Sequence, residues 1–485
     1  MKLSFLAATI LVTMVLAAGM DTGQAESVAR SRISIDGYSN IRFIAGNISL
    51  SREDGGTPLA FVFQLDPRGY VIVSGDNRIA PVIAYSYSNA CCPEGEAAGP
   101  LLDLVRIDLA YRMDHLEEVP AWYVGENIRR WAEMTGAAAP DAPMPEQWPP
   151  AGSTPTEGWL EENWTQSAPY NMYCPLDLVT GQRSVAGCPA VAMGAILNFH
   201  EETNTTRFDD GDDYYHNYHE YYWIDDDHEA HDFPSWPELN ILLDTLEAHY
   251  AEGSVTVEDR AAIVYASGAA CRQVYTSSVS GTFGVGQAYD AYVRFGFEDC
   301  QLLDDAADSL LEKLAQNMMD GMPAHLAIID AVPQYGHNVV LDGYNTDEFF
   351  HINFGWGGAS NGWYSFPLSG MPYGMNFIEG VIIDIGEPLM SAEHSVAGYR
   401  EDISIISVSN PVTNELYTTV SSPEDCMAQL RVYSIGGRLV MSTDVTLGRG
   451  ISTLSLPLDR MPSGVYVIRI GDTFDEDSAV FTVLR

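Results

Sequence analysis

Cys188 is the residue of this chain whose neighbours in the sequence most favour chemistry. Residues 190–199 are apolar on almost every side, which predicts a fully buried helix, and Pro189 suits its first position, where no N–H is needed. The thiol would then lie at the helix N-terminus, where unpaired N–H groups and the helix dipole help it to lose its proton and become a nucleophile. A lone cysteine more often fills space in a core, so this interpretation depends on suitable partners.

A predicted β-hairpin downstream supplies such partners. Residues 336–344 and 349–354 predict two strands joined by a turn. Counted outward from that turn, the pairing puts His337 opposite Trp356, with Asn353 nearby. An imidazole can take the thiol proton, an amide can hold the tautomer of the ring, and an indole can shield the bond between them from water. The set therefore indicates nucleophilic catalysis by a cysteine.

Other histidines are alternative bases, because the chain contains 11 of them. We expect His325 and His351 to occupy a helix end or a cross-strand position rather than to act as a base. His337 is preferred because it alone is predicted to share one end of the hairpin with an amide and an indole.

Gln166 is a candidate for a different task, since acyl transfer requires donors aimed at a developing oxyanion. It lies in a short polar segment upstream of the cysteine. Its amide, together with the backbone N–H of Cys188, could bind that oxyanion. A glutamine on the surface usually has no such role, so this prediction also depends on the other residues.

The composition describes a long, acidic and exported chain. Its 485 residues are too many for one core and predict about three domains. A formal net charge of −43 disfavours binding to nucleic acid and to anionic membranes. A basic start, a short apolar run and small residues predict a secretory signal peptide over residues 1–25. No later stretch has the roughly 18 apolar residues of a spanning helix, so we expect no transmembrane segment.

Changes in composition divide the remaining chain. Residues 61–76 predict a hairpin and 101–116 a helix, and nothing near them looks catalytic, which favours a propeptide over a permanent accessory domain. About seven short strands near the C-terminus predict a β-sandwich. The predicted parts are a propeptide domain at 26–150, a catalytic domain at 151–390, a linker at 391–402 and the sandwich at 403–485.

Cysteines and acidic residues give no indication of a metal site or cofactor. Seven cysteines in an exported chain permit disulfides and leave at least one thiol unpaired. The absence of a CxxC spacing weighs against structural zinc. Residues 201–232 are rich in acids and histidines but lack the spacing of an EF-hand or of HExxH. We therefore expect a solvated, mobile surface insertion there, with a metal site as the alternative.

Four strings of this sequence, taken together, resemble the streptopain family of secreted bacterial cysteine peptidases. They are WTQSAPYN, GCPAVAMGAILNFH, GHNVVLDGYN and HINFGWGG, and they fall in a region of about 157–385. The order Cys, His, Asn also matches papain-type enzymes, and residues 61–76 resemble the propeptide of the family. The resemblance implies an α+β, papain-like fold. The roles it implies are nucleophile for Cys188, base for His337, oxyanion donor for Gln166, and orientation and shielding for Asn353 and Trp356.

Four positions depart from the family pattern. Pro189 stands where a β-branched residue is usual, Tyr335 where glycine is usual, Asn338 where alanine is usual, and Phe354 where tryptophan is common. These departures leave the catalytic set intact and could change the substrate cleft.

The C-terminal part has a resemblance of its own. The pattern NP…YSIGGRLV…SGVYVIRI is similar to the C-terminal sorting domain of type IX secretion cargo. That implies recognition by bacterial secretion machinery, followed by release or attachment at the cell surface. The strand pattern alone also fits a sandwich used for adhesion or spacing.

The sequence as a whole predicts a cysteine endopeptidase made as a preproenzyme. It would hydrolyse proteins or peptides through an acyl-enzyme, with the propeptide as its own inhibitor and with no cofactor. Two alternatives remain, an inactive binding protein on the same fold and an acyltransferase that uses the same Cys–His pair. No sequence feature favours either alternative.

Overall fold

The protein is described by a computed structural model. The described residues are 19–44, 48–52, 55–91, 100–136, 144–304, 307, 309–329, 336–366, 378–386, 403–408, 412, 415–422, 426–434, 439–447, 450–458, 461–462, 464–471 and 476–483. The predicted linker at 391–402 and most of the predicted signal peptide lie outside them.

The helices are α1 (Thr22–Ile35), α2 (Pro100–Asp114), α3 (Ala121–Thr135), α4 (Cys188–His200), α5 (His228–His231), α6 (Trp236–Glu252), α7 (Val257–Ala270), α8 (Val285–Arg294) and α9 (Leu310–Met319). The strands before the C-terminal part are β1 (Arg42–Phe43), β2 (Ile48–Leu50), β3 (Ala60–Asp66), β4 (Tyr70–Ser74), β5 (Val82–Ser86), β6 (Gln147–Trp148), β7 (Leu176–Asp177), β8 (Gln182–Arg183), β9 (Tyr214–Tyr218), β10 (Glu220–Ile224), β11 (Gln301–Leu303), β12 (Ala324–Ile329), β13 (Gly336–Asn345), β14 (Phe349–Asn353), β15 (Gly362–Ser365) and β16 (Ile378–Ile383). The C-terminal strands are β17 (Ser404–Val408), β18 (Glu415–Ser422), β19 (Cys426–Ser434), β20 (Leu439–Leu447), β21 (Gly450–Pro457), β22 (Gly464–Gly471) and β23 (Glu476–Val483).

One antiparallel sheet runs through both the N-terminal and the central parts of the chain. Its strands follow the order β1-β3-β4-β5-β15-β14-β13-β12-β16-β11. The two parts meet where β5 pairs with β15 and Tyr85 lies opposite Trp363. The predicted propeptide therefore extends the sheet that carries the predicted histidine hairpin, and the mixture of helices and sheet confirms the α+β fold class.

The predicted hairpin is β13 and β14, and its register explains the position of His337. Val340 lies opposite Asn353, as predicted. Nearer the turn, a β-bulge between Leu341 and Gly343 shifts the pairing by one residue, so that Gly343 lies opposite His351. The predicted register is thus right at the end of the hairpin that holds His337 and wrong by one beside the turn.

Helix α4 is buried along most of its length, as its apolar sequence predicts. Residues 189–197 are all buried, and α4 packs on α7 and on one face of β12 and β13. Gly194 permits the close approach, since a Cβ there would lie 3.1 Å from a methyl of Val264. The helix therefore forms the centre of the main core, with its first residue at the edge of that core.

The N-terminal domain contains the predicted hairpin, as β3 and β4, and the predicted helix, as α2. Packed structure is also present upstream of residue 26. Asp21 caps α1 by accepting the N–H of Gln24, and Ala25 is buried in a core with residues of β3 and β4. Gly19 already forms a bridge with Asp76. Small residues that suggest a cleavage site at 25 are therefore part of a packed helix.

The acidic segment 201–232 is not the solvated insertion that its charge predicts. Its strands β9 and β10 form a hairpin, and Tyr214 and Tyr222 are buried in the main core. His216 is also buried, and its ring accepts the N–H of Tyr275 at 2.7 Å. The strand alternation is present in the sequence but is hidden by the many acids between the aromatic residues. Within the described ranges, no group of three or more His, Cys, Asp or Glu side chains is arranged to hold a metal ion.

The C-terminal strands form the predicted β-sandwich. Sheet β17-β18-β21 and sheet β20-β19-β22-β23 enclose one core that includes Leu416, Val432, Ile468 and Phe481. Cys426 of this sandwich is a free thiol, as are Cys174, Cys188, Cys271 and Cys300 in the central part of the chain. None of the helices in the described part of the chain is both long enough and apolar enough to cross a bilayer.

Candidate active site

Cys188 is the first residue of α4, and the turn before it fixes the direction of its side chain. Gly187 has a φ of 86°, a left-handed conformation that glycine adopts most easily. A Cβ at Gly187 would lie 2.6 Å from Oε1 of Gln273, and Gln273 donates a hydrogen bond to the Ala186 carbonyl at 2.6 Å. The turn is therefore packed as well as bent. It leaves the sulfur half-buried, beside N–H groups that have no partner within the helix.

His337 is held between an indole and a backbone carbonyl. Its ring stacks on Trp356, with 4.6 Å between the centroids and 20° between the planes. Its Nε2 lies 2.8 Å from the carbonyl oxygen of Phe354. Because a carbonyl can only accept, the proton is on Nε2, and this leaves Nδ1 free to accept a proton from the thiol. The ring is therefore in the tautomer that a general base requires.

The thiol of Cys188 is more acidic than that of an ordinary cysteine. Burial acts to raise its pKa, but the charge of His337 and hydrogen bonds from His337 and Asn338 act in the other direction. The net effect is a lowered pKa for Cys188. The same pair of side chains can thus exist as thiolate and imidazolium, which is the reactive form of such a site.

Asn353 does not make the hydrogen bond that was predicted for it. Its Oδ1 accepts the N–H of Gly355 at 3.1 Å, and the acceptor for His337 is the Phe354 carbonyl. The N–H of Phe354 donates in turn to Oδ1 of Asn361 at 2.9 Å. A side-chain amide does orient the imidazole, but it does so from Asn361 and through the backbone. The direction of a carbonyl leaves no signal in a sequence, which is why this bond was assigned to a side chain.

Gln166 lines the same small cavity as Cys188. Its carbonyl accepts the N–H of Ala186 at 2.8 Å, which ties this segment to the turn before α4. The neighbouring Thr165 forms a bridge with Trp356. The fold therefore brings Gln166, Cys188 and the indole to one place, and the oxyanion role of the Gln166 amide stays a prediction.

The two alternative histidines are buried elsewhere in the sheet. His325 is fully buried, and burial lowers its pKa to about 4, although its hydrogen bond to Asn338 acts in the opposite direction. His351 is also fully buried, and its Nδ1 lies 2.6 Å from Oδ1 of Asp342. Both belong outside the cavity that Cys188 lines, as far as the described residues define it. His337 is the histidine beside the thiol, because its charge and its side-chain hydrogen bond both act on Cys188.

Asn338 is a residue of the site that the sequence marked only as a departure from a family pattern. Its Nδ2 lies 3.8 Å from the sulfur of Cys188, and it lines the same cavity. Its position next to His337 is the one signal in the sequence, but strand alternation places neighbouring side chains on opposite faces and does not predict a shared role.

Comparisons with known proteins agree with this arrangement of parts. Residues 164–364 match the peptidase C10 family, residues 17–104 match a Spi protease inhibitor family, and residues 409–479 match a secretion system C-terminal sorting domain. The resemblances to streptopain-like peptidases and to a sorting domain are therefore confirmed.

Individual relatives are distant. A thiol protease/hemagglutinin, PrtT, of Porphyromonas gingivalis is 27% identical over 63% of this chain and 33% of its own length. Streptopain of Streptococcus pyogenes is 22% identical over 65% of this chain and 76% of its own length. Among solved structures, a fragment of prointerpain A from Prevotella intermedia is 19% identical, with a TM-score of 0.44 over 71% of this chain and all of that fragment. The chain thus spans about a third of the length of PrtT and about three quarters of that of streptopain.

Proposed function

We propose that this chain, which carries a peptidase C10 domain between a Spi-type inhibitor domain and a secretion sorting domain, is a cysteine endopeptidase made as a zymogen. The observation that carries the proposal is the Cys188 thiol. It lies at the start of a buried helix, its pKa is lowered chiefly by the charge of His337 against the effect of burial, and the imidazole is fixed in the tautomer of a base. A thiol that merely fills space in a core would have neither a helix N-terminus nor an imidazole beside it.

The reaction follows from these positions. Nδ1 of His337 takes the proton of Cys188, and the thiolate attacks the carbonyl carbon of a peptide bond. The carbonyl oxygen becomes an oxyanion, bound by the N–H of Cys188 and the amide of Gln166. When the C–N bond breaks, the imidazolium gives its proton to the leaving amine. A water molecule, deprotonated by His337, then hydrolyses the thioester and the thiol forms again.

Four further residues hold the base during this cycle. Trp356 covers one face of the imidazole and keeps water from its bond to sulfur. The Phe354 carbonyl accepts from Nε2 in both the neutral and the charged ring, and it gains strength when the ring is charged. Asn353 and Asn361 fix the backbone on either side of that carbonyl.

The N-terminal domain is proposed to inhibit the enzyme, and it contacts the loop that orients His337. Ser360 donates its N–H to the carbonyl of Ala90 at 2.7 Å, and the hydroxyl of Tyr70 lies 3.0 Å from the Ser360 carbonyl. The next residue, Asn361, holds the N–H of Phe354. Residues of the propeptide thus hold this loop in the zymogen, and cleavage would remove these contacts.

Contacts between segments also support a proposal for the boundaries of the parts. We propose that the signal peptide ends before Gly19, because α1 and its cap belong to the inhibitor domain. The activating cut would fall after α3 and before Trp159, whose N–H donates to the Asp342 carbonyl within the peptidase sheet at 2.7 Å. The C-terminal sandwich would direct the enzyme, through bacterial secretion machinery, to the medium or the cell surface.

The test compares purified wild type with Cys188→Ala and with Cys426→Ala, a control whose thiol lies in the C-terminal sandwich. We expect the wild type and the control to cleave casein and to lose their N-terminal domain, and Cys188→Ala to do neither. N-terminal sequencing of each product reports the processing sites. Undiminished cleavage by Cys188→Ala would refute the proposal, and ligated peptides in place of shorter ones would indicate an acyltransferase.

A further inference from the structure

A line of polar side chains leads from the core to the sulfur of Cys188. The hydroxyl of Tyr292 lies 3.2 Å from Nδ1 of His325. Nε2 of His325 lies 2.7 Å from Oδ1 of Asn338, and Nδ2 of Asn338 lies 3.8 Å from the sulfur. Tyr292 and His325 are both fully buried. Buried polar groups in a row of this kind must donate and accept in a consistent order.

The sulfur of Cys188, at the end of the row, determines which groups donate and which accept. A thiolate can only accept hydrogen bonds, so the amide of Asn338 must turn its N–H toward the sulfur and its oxygen toward His325. Nε2 of His325 is then protonated and donates a hydrogen bond to the amide oxygen, and Nδ1 accepts a hydrogen bond from the hydroxyl of Tyr292. His325 stays neutral in this arrangement, which agrees with its burial and its lowered pKa of about 4.

The sheet explains how His325 reaches Asn338. Asn338 lies opposite Ala327 in the pairing of β13 with β12, and His325 is two residues from Ala327 on the same face of β12. The two polar side chains are therefore diagonal neighbours. That face packs on α4, as the burial of Ala327 and Val340 in the main core shows, so Asn338 points toward the helix that begins with Cys188.

We propose that Asn338 is a further catalytic residue of this site, which donates a hydrogen bond to the Cys188 thiolate, and that His325 is a positioning residue that fixes the direction of the Asn338 amide. The proposal rests on the function proposed above. The thiolate then has a side-chain donor besides the His337 imidazolium and the backbone N–H of Asn338.

The consequence is a change in thiol acidity that needs no peptide substrate to measure. The full-length chain and its variants are alkylated with iodoacetamide across a range of pH, and labelling of Cys188 is followed by mass spectrometry of its peptide. In Asn338→Ala we expect the midpoint of the labelling curve to rise by about one pH unit, since a hydrogen bond to a charged group is lost. Below both midpoints the labelling rate should fall only about threefold, because a more basic thiolate is also a better nucleophile.

His325 provides the matched pair of variants. His325→Leu removes the donor to the Asn338 oxygen, so the midpoint should shift in the same direction as in Asn338→Ala but by less. His325→Gln can still donate from its side-chain amide and should restore most of the wild-type midpoint. Thermal unfolding of each variant is measured in parallel. A loss of stability with an unchanged midpoint would mean that the row is structural, and it would overturn the proposal.

The same curves separate this inference from the proposed function. If wild-type Cys188 has the midpoint of an ordinary thiol, the reactive pair itself is absent and both proposals fail. If the wild-type midpoint is lowered but Asn338→Ala shares it, only the role of Asn338 is refuted. If Asn338→Ala slows peptide hydrolysis without moving the midpoint, its amide acts on something other than the thiolate, and the inference is again overturned.

Discussion

Two thiols at opposite ends of two packed helices differ in almost every chemical respect. Cys188 begins α4, and Cys271 follows the last residue of α7 as its C-cap. Burial acts to raise the pKa of both. In Cys271 burial is the cause of a strongly raised pKa, and its sulfur lies 4.0 Å from the sulfur of Met193. In Cys188 the His337 charge and the hydrogen bonds from His337 and Asn338 together outweigh burial, and the pKa is lowered.

The comparison shows which features make a cysteine reactive. A helix N-terminus offers free N–H groups and the positive end of a dipole, whereas a C-terminus offers carbonyls and the negative end. Burial makes a thiol inert unless it is strongly opposed. Cys174 is a second example, since burial raises its pKa to about 12 although the charge of Arg183 acts in the opposite direction. What distinguishes Cys188 is therefore a cation, His337, that also forms a hydrogen bond with the sulfur.

The largest effect is expected when that cation is removed. In His337→Ala the pKa of Cys188 should rise toward its ordinary value, because only burial and the weaker donors remain. Since the thiolate is populated only above the thiol pKa, iodoacetamide labelling of Cys188 at pH 6 should fall at least about tenfold. Peptide hydrolysis should fall about a thousandfold or more, because the general base is also lost.

Labelling of Cys271 in the same samples is the control. It should stay negligible at pH 6 in both proteins, because its thiol is buried and has a raised pKa. Unchanged labelling of Cys188 in His337→Ala would show that helix position alone makes the thiol acidic. His337 would then not be what distinguishes Cys188 from Cys271.

A moderate effect, on stability rather than on activity, is expected when Cys271 is replaced. Cys271→Ala leaves a small cavity in the main core and should lower the free energy of unfolding by about 1 kcal/mol. The kcat/KM of peptide hydrolysis should stay within about twofold of wild type. Cys188→Ala should show the reverse, with stability nearly unchanged and activity lost. Denaturant titration measures the free energy of unfolding of both variants, and a peptide assay measures their kcat/KM. A loss of activity in Cys271→Ala would contradict the assignment of Cys271 as an inert core residue.

The smallest effect is expected at Asn353. Because the Phe354 carbonyl accepts from His337, Asn353→Ala should lower kcat/KM by less than about threefold and leave the labelling midpoint of Cys188 unchanged. Asn361→Ala, which frees the N–H of Phe354, should have a larger effect of about tenfold. A steep loss in Asn353→Ala alone would restore the direct amide–imidazole bond as the arrangement during catalysis.

Much of the site could be predicted because local patterns carry it. An apolar run with a proline at its start predicts a buried helix and puts Cys188 at its N-terminus. Strand alternation and a turn put His337 beside Trp356, and even a β-bulge left that end of the hairpin in the predicted register. The acidic segment at 201–232 was misjudged for a related reason, because its charge concealed the alternation that buries Tyr214 and Tyr222.

The sequence by itself determined the order of the domains, the helix that presents the thiol and the hairpin that carries the base, because each depends on residues that are close together in the chain. The tertiary structure alone decided which oxygen holds the imidazole and that Asn338 faces the sulfur with His325 behind it. These depend on the direction of a carbonyl and on contacts between distant segments, and spacing along the chain specifies neither.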